Sequence, residues 1–163
     1  MQIRVATPAD AELLADLGAR TLRDTFGPDK TEAQAGYLAL TFNAKLKSGD
    51  LSDPNAVFLV AEVKGAAVAY ARLRFGYSPD FVGGVTPVEI ARIYADAPWV
   101  GRGAGKALMK RCLAMAKDRG CDIVWLDVWE KNHRAIRFYK RWGFTAAGSQ
   151  APGWITMKRP ALS

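Results

Sequence analysis

Residues 88–106 read Val88-Glu89-Ile90-Ala91-Arg92-Ile93-Tyr94-Ala95-Asp96-Ala97-Pro98-Trp99-Val100-Gly101-Arg102-Gly103-Ala104-Gly105-Lys106. The first seven alternate apolar and polar side chains, the period of a half-buried strand. Past the glycines, Leu108, Met109, Cys112, Leu113, Met115 and Ala116 recur at helical spacing as far as Gly120, a residue type that commonly stops a helix. The unit is strand, glycine-rich turn, helix. Three glycines on alternate positions let the backbone approach a ligand closely. The free N–H groups at a helix start, with the positive end of the helix dipole, favour phosphate. Arg102 and Lys106 add formal positive charge there, so a polyanion is the expected ligand.

Two common phosphate motifs do not fit. A nucleotide P-loop needs glycine where Val100 stands and Ser or Thr where Ala107 stands. A dinucleotide fingerprint needs its third glycine where Lys106 stands. A tight strand-to-helix turn without a ligand stays as the plain alternative.

The next segment adds a strand, Ile123-Val124-Trp125-Leu126-Asp127-Val128-Trp129, and a helix. Asn132 is placed to cap that helix, Ala135, Ile136, Phe138, Tyr139 and Trp142 lie along it, and Gly143 ends it. With these residues the chain resembles the GNAT superfamily of acyl-CoA-dependent N-acyltransferases. That family's pyrophosphate loop, Arg/Gln-x-x-Gly-x-Gly/Ala, matches Val100-Gly101-Arg102-Gly103-Ala104-Gly105 except at its first position. Its second signature, Asn-x-x-Ala-x-x-Phe-Tyr-x-x-x-Gly-Phe, matches Asn132, Ala135, Phe138, Tyr139, Gly143 and Phe144 without a gap. The likeness is sharp over residues 88–144 and fits the remainder in outline.

The 163 residues suit one domain, 1–163, with a substantial core and an ordinary globular composition. Cys112 and Cys121 have neither metal-ligand nor C-x-x-C spacing, so free thiols and no metal are expected. No apolar run approaches a membrane span and Met1-Gln2-Ile3-Arg4-Val5 is no signal peptide, which points to a cytoplasmic protein without membrane contact. The net charge of +7 raises the question of nucleic acid, but the basic residues are dispersed and no DNA-binding motif is present.

In chain order, Ile3-Arg4-Val5 is a short strand, and Thr7-Pro8 with Asp10 starts a helix bearing Leu13, Leu14, Leu17, Thr21 and Leu22 on one face. Gly27-Pro28 breaks it, and a second helical stretch begins at Thr31. Ser48 to Asn55 is a loop. Ala56–Val63 is a strand covered on both faces, Lys64-Gly65 a tight turn, and Ala66–Phe75 the returning strand. Gly76 to Pro87, with three glycines and two prolines, reads as a mobile loop. Thr145 to Gln150 and Trp154 to Met157 form a last strand pair. The order β-α-α-β-β-β-α-β-α-β-β is α+β. The resemblance implies a mixed, mostly antiparallel central sheet flanked by helices on both faces.

The resemblance also implies the chemistry, acetyl-CoA-dependent transfer of an acetyl group to a primary amine by direct attack. Cofactor contacts would come from Ile93, Tyr94 and Ala95, where the strand bulges and its backbone pairs with pantetheine, and from Val100, Gly101, Arg102, Gly103, Ala104, Gly105 and Lys106 around the pyrophosphate. Asn132, Ala135 and Phe138 follow from the second signature. Tyr139 is the implied general acid at the departing thiolate; its plain alternative is an aromatic packed beside Phe138 and Trp142. An alkyl amine is only about one part in a thousand neutral at pH 7, so a base is needed. Glu89 is the first candidate and Asp127 the second, each with the alternative of pairing with Arg72, Arg92 or a lysine, or of being simply solvated. His133, in the first turn of its helix, is expected at the surface.

Phe26, Tyr37, Tyr77 and Trp129 are candidates to line the acceptor mouth. A narrower likeness, through Asp24-Thr25-Phe26, Thr41-Phe42-Asn43, Glu89-Ile90-x-Arg92-Ile93-Tyr94 and Val128-Trp129-Glu130-Lys131-Asn132, is to the Pai-type bacterial spermidine/spermine acetyltransferases. It implies a polyamine acceptor, held by carboxylates such as Asp24, Glu89, Asp127 or Glu130. A protein N-terminus or lysine, an amino acid or a drug amine is the alternative acceptor; a non-catalytic acyl-CoA sensor is the rival of another class. The family resemblance also makes a homodimer through sheet edges the expected assembly.

Overall fold

A computed structural model describes the backbone of residues 1–26 and 50–161, and the side chains of 1–20 and 51–161. Among the described residues there are seven strands, β1 (Gln2–Val5), β2 (Ala56–Val63), β3 (Ala66–Phe75), β4 (Pro87–Ala95), β5 (Ile123–Trp129), β6 (Thr145–Gly148) and β7 (Trp154–Pro160), and three α-helices. These are α1 (Ala11–Phe26), α2 (Ala104–Asp118) and α3 (His133–Arg141). The strands form one mostly antiparallel sheet in the order β1-β2-β3-β4-β5-β7-β6, in which β4 and β5 run parallel. The fold is α+β, as expected. The helical stretch read from Thr31 lies outside the described residues. No described helix is long and apolar enough to cross a membrane.

The chain groups into two compact units, Met1–Arg72 with Arg92–Arg111, and Leu73–Ala91 with Cys112–Ser163. In the first, the helix start is fixed where Thr7-Pro8 indicated, by way of a single 3-10 turn, Pro8–Asp10. The Asp10 carboxylate accepts the Thr7 N–H at 2.8 Å and both terminal nitrogens of Arg4 at 2.8 and 2.9 Å. Arg4 also donates to Glu62 at 2.6 Å, across the β1–β2 pair. Leu14 and Leu17 of α1 are buried, as are Phe58, Leu59, Val60 and Ala61 of β2, so this apolar run is covered on both faces. Lys64 and Gly65 make the hairpin turn with φ of 52° and 81°, the left-handed geometry that a two-residue turn needs.

In the second unit the register of β4 on β5 runs Pro87↔Ile123, Val88↔Val124, Glu89↔Trp125, and Ile90 and Ala91 lie past its end. β7 pairs with β5 along its whole length, Ile123↔Pro160 to Trp129↔Trp154. It thus runs three residues beyond Met157, where the sequence reading ended it. Lys158 and Arg159 do not stop the strand because both cations are engaged: Lys158 Nζ donates to Val82 O at 3.1 Å and Arg159 Nη1 to Trp142 O at 2.6 Å. The latter places a cation at the C-terminal end of α3, on the carbonyl of its capping residue, just before Gly143 turns the chain at φ 89°.

The segment between β3 and β4, read as mobile from its glycines and prolines, is tied at several points. Trp125 Nε1 donates to Tyr77 O at 2.9 Å, and Asp122 accepts the amides of Val85 and Thr86 at 2.7 and 3.0 Å. Val82 is buried, and the Phe81 ring lies so close over Gly148 that a Cβ there would approach it to 2.8 Å.

Candidate active site

The glycine-rich turn belongs to the first unit. Asp96 anchors its start, donating its N–H to Val68 O at 2.8 Å and accepting Arg20 of α1 through both carboxylate oxygens. A 3-10 turn, Ala97–Trp99, follows, then Val100 in an extended conformation. Gly101 and Gly103 have φ of 77° and 92°, which only glycine adopts without strain, and a Cβ at either would meet no atom within 4 Å. The glycines are therefore needed for the backbone path itself. Within the turn, Arg102 N–H bonds Trp99 O and Ala107 N–H bonds Gly103 O. Among the described residues, no backbone carbonyl outside α2 accepts the amides of Gly101, Gly103, Ala104, Gly105 or Lys106. Arg102 and Lys106 are exposed and have no ion-pair partner among the described residues. A row of free donors at a helix start with two unpaired cations suits a pyrophosphate. Ahead of the turn, Ile93, Tyr94 and Ala95 are half-exposed; the Tyr94 ring sits 6.2 Å from that of Tyr70, and burial pushes its phenol up.

The second unit carries the remaining candidates. Asn132 caps α3 by accepting the Ala135 N–H at 3.3 Å. Tyr139 is buried, edge-on to Phe138 at 5.6 Å and to Phe144 at 5.9 Å, so the packing role foreseen as its plain alternative is present. Ala135 and Phe138 are half-buried and His133 is exposed. Glu89 is buried, and its carboxylate meets Arg74 Nη2 at 2.7 Å. Arg74, which the sequence reading did not name, is thus one partner of Glu89. Arg74 in turn stacks on the Tyr77 ring at 5.3 Å. Asp127 accepts Thr156 Oγ1 on one oxygen and Gln150 Nε2 on the other. Trp129 is half-buried, with Lys131 Nζ 6.0 Å from its ring. Tyr37 and the side chains of Phe26 and Asp24 lie outside the described residues.

Cys112 and Cys121 are free and buried; desolvation pushes the Cys112 thiol up to about 12 and raises that of Cys121. Neither supplies a thiolate nucleophile near neutral pH. Arg74, Asp122 and Arg159 were missed from sequence. Alternation along β3 put Arg72 and Arg74 on the same face, which was the one available signal for Arg74.

A model of the acetyltransferase (GNAT) family matches residues 19–144. The chain belongs to that family. It is an N-acetyltransferase that draws on acetyl-CoA. An uncharacterised N-acetyltransferase of Mycobacterium bovis is 35% identical over 142 residues, 86% of each chain. The N-alpha-acetyltransferase RimI of Mycobacterium tuberculosis is 30% identical over 147 residues, 90% of this chain and 79% of the other. Among solved structures, the PaiA N-acetyltransferase of Thermoplasma acidophilum, in complex with coenzyme A, superposes with a TM-score of 0.82 over 98% of this GNAT chain and 99% of that one, at 18% identity.

Proposed function

We propose that this GNAT chain, as one domain over residues 1–163, transfers acetyl to a primary amine by direct attack of the amine. The observation that carries the reading is the set of unengaged amides at Gly101, Gly103, Ala104, Gly105 and Lys106, flanked by the cations of Arg102 and Lys106. Those residues, with Val100, would hold the pyrophosphate. The backbone of Ile93, Tyr94 and Ala95, with Asn132, Ala135 and Phe138, would hold the pantetheine arm. When bound, acetyl-CoA supplies an acetyl group activated as a thioester. Glu89 takes up the ammonium proton, directly or through water. Asp127 ranks second because both its oxygens already accept hydrogen bonds.

Tyr139 Oη delivers a proton to the departing sulfur. In water a phenol holds its proton more tightly than a thiol by about 1.5 pH units, or ~2 kcal/mol. The transfer is therefore mildly uphill, and Tyr139 recovers a proton as the acylated nitrogen loses one.

For the acceptor we propose a polyamine first, on the Pai-like motifs around Glu89–Tyr94 and Val128–Asn132. A polycation must then compete with Arg74 for Glu89. A peptide α-amine is the second reading, favoured by the 30% identity to RimI. Cytoplasmic location and a homodimer through β1 or β6, the edge strands, belong to the same proposal.

The test is thiol release from acetyl-CoA with spermidine, spermine, diamines, amino acids, aminoglycosides and short peptides. Release with polyamines alone supports the first reading, and release with peptides alone the second. Silence together with tight acetyl-CoA binding turns the reading towards a sensor; silence without binding overturns it.

A further inference from the structure

We propose that Arg74 is a positioning residue for Glu89, keeping the buried carboxylate ionised and fixing its orientation. The inference rests on the reading of Glu89 as the general base. Only 12% of the Glu89 side chain is exposed. A carboxylate so buried favours its protonated form unless a charge or hydrogen-bond partner offsets the loss of water, and a protonated carboxyl accepts no proton from an amine. Arg74 Nη2 at 2.7 Å supplies that partner.

Arg74 is itself held. Its guanidinium lies 5.3 Å from the centre of the Tyr77 ring. Tyr77 stands edge-on to Trp125 at 5.9 Å, and its carbonyl accepts Trp125 Nε1 at 2.9 Å. Trp125 is in turn the β5 residue in register with Glu89. Carboxylate, guanidinium, phenol ring and indole thus form a chain of contacts whose last member lies on β5, the strand paired with β4. Half-exposed, Arg74 is the link between the buried carboxylate and water.

Other charged groups on these strands have contacts of their own. Asp127, two residues past Trp125 on the same face of β5, binds Thr156 and Gln150. Lys158 of β7, opposite Trp125, donates to Val82 O. Arg72 of β3 lies over the Phe58 ring at 5.7 Å.

The experiment is a pH titration by carbon-13 NMR of the full chain labelled at its glutamate carboxyls. The chain has five glutamates, and the Glu89 signal is the one that Glu89→Gln removes. In the parent protein the midpoint of that signal sets the reference. In Arg74→Gln the midpoint is expected to rise by about one to three pH units, and Arg74→Lys to restore most of the difference. An unmoved midpoint in a folded Arg74→Gln protein overturns the proposal. Should that variant fail to fold, an unmoved midpoint in a folded Arg74→Met protein, which also lacks the charge, overturns it equally.

Kinetics with spermidine, and with a tripeptide bearing a free N-terminus, separate this inference from the one beneath it. Full activity in Glu89→Gln removes Glu89 as base, whatever the NMR reads. Loss of activity in Glu89→Gln with an unmoved midpoint in Arg74→Gln removes Arg74 alone.

Discussion

Gly103 and Tyr139 have opposite reasons for being what they are, and single substitutions separate the two. At φ 92° Gly103 has open space where a side chain would project, so Gly103→Ala carries backbone strain alone, while Gly103→Asp adds a negative charge beside the free amides. Calorimetry should read acetyl-CoA affinity about tenfold weaker for Asp than for Ala; equal affinities would move the pyrophosphate elsewhere. Tyr139→Phe keeps the ring on Phe138 and Phe144 and removes only the hydroxyl. Its kcat should fall on the order of 100-fold with the KM for acetyl-CoA unchanged. An unchanged kcat would leave Tyr139 as a packing residue only. The sequence named both residues because each stands in a motif. Arg74 stands in none, and alternation along a strand gives the face of a side chain without saying which of several arginines reaches the carboxylate.

Local chemistry can be tested one element at a time. Asn132 satisfies one of the orphan donors at the start of α3, so Asn132→Ala should cost about 1 kcal/mol and lower Tm by roughly 2–4 °C. A thermal melt that does not shift would mean that the cap is replaced by water. Asp122 brackets the end of the β3–β4 segment through two amides. Asp122→Ala should speed hydrogen exchange at Val85 and Thr86 while exchange in the β5–β7 ladder stays as it was. Elements bounded by turn chemistry were legible: β2 and β3 begin and end where Lys64-Gly65 and the apolar pattern put them. The β3–β4 segment was misread because its glycines and prolines describe only the local chain, whereas Trp125, Asp122 and Lys158, which tie it down, come from far along the sequence. The same limit hid the length of β7, whose last residues are strand because β5 pairs with them.

At the scale of the whole molecule, acid stability follows from the first ion-pair cluster. Arg4 and the Thr7 amide hold the Asp10 carboxyl down at about 2, below its unfolded value. A depressed carboxyl adds stability above its unfolded pKa and loses it as pH falls through the folded one. With solvent screening the pair contributes about 1 kcal/mol at neutral pH. Arg4→Met should thus lower Tm at pH 7, with the difference from the parent shrinking between roughly pH 4 and pH 2. A difference independent of pH would assign the loss to packing. Family and cofactor were legible because two signatures fall in one chain in the right order. The acceptor was not: of its candidate contacts, Tyr37 and the side chains of Asp24 and Phe26 lie outside the described residues. The sheet order has a consequence for the history of each molecule. Among the described strands, β6 pairs only with β7, which follows it in the chain and docks on β5. During synthesis β6 has nothing to pair with until the later strand has emerged and found its place, so this edge of the sheet is assembled last and in reverse of chain order.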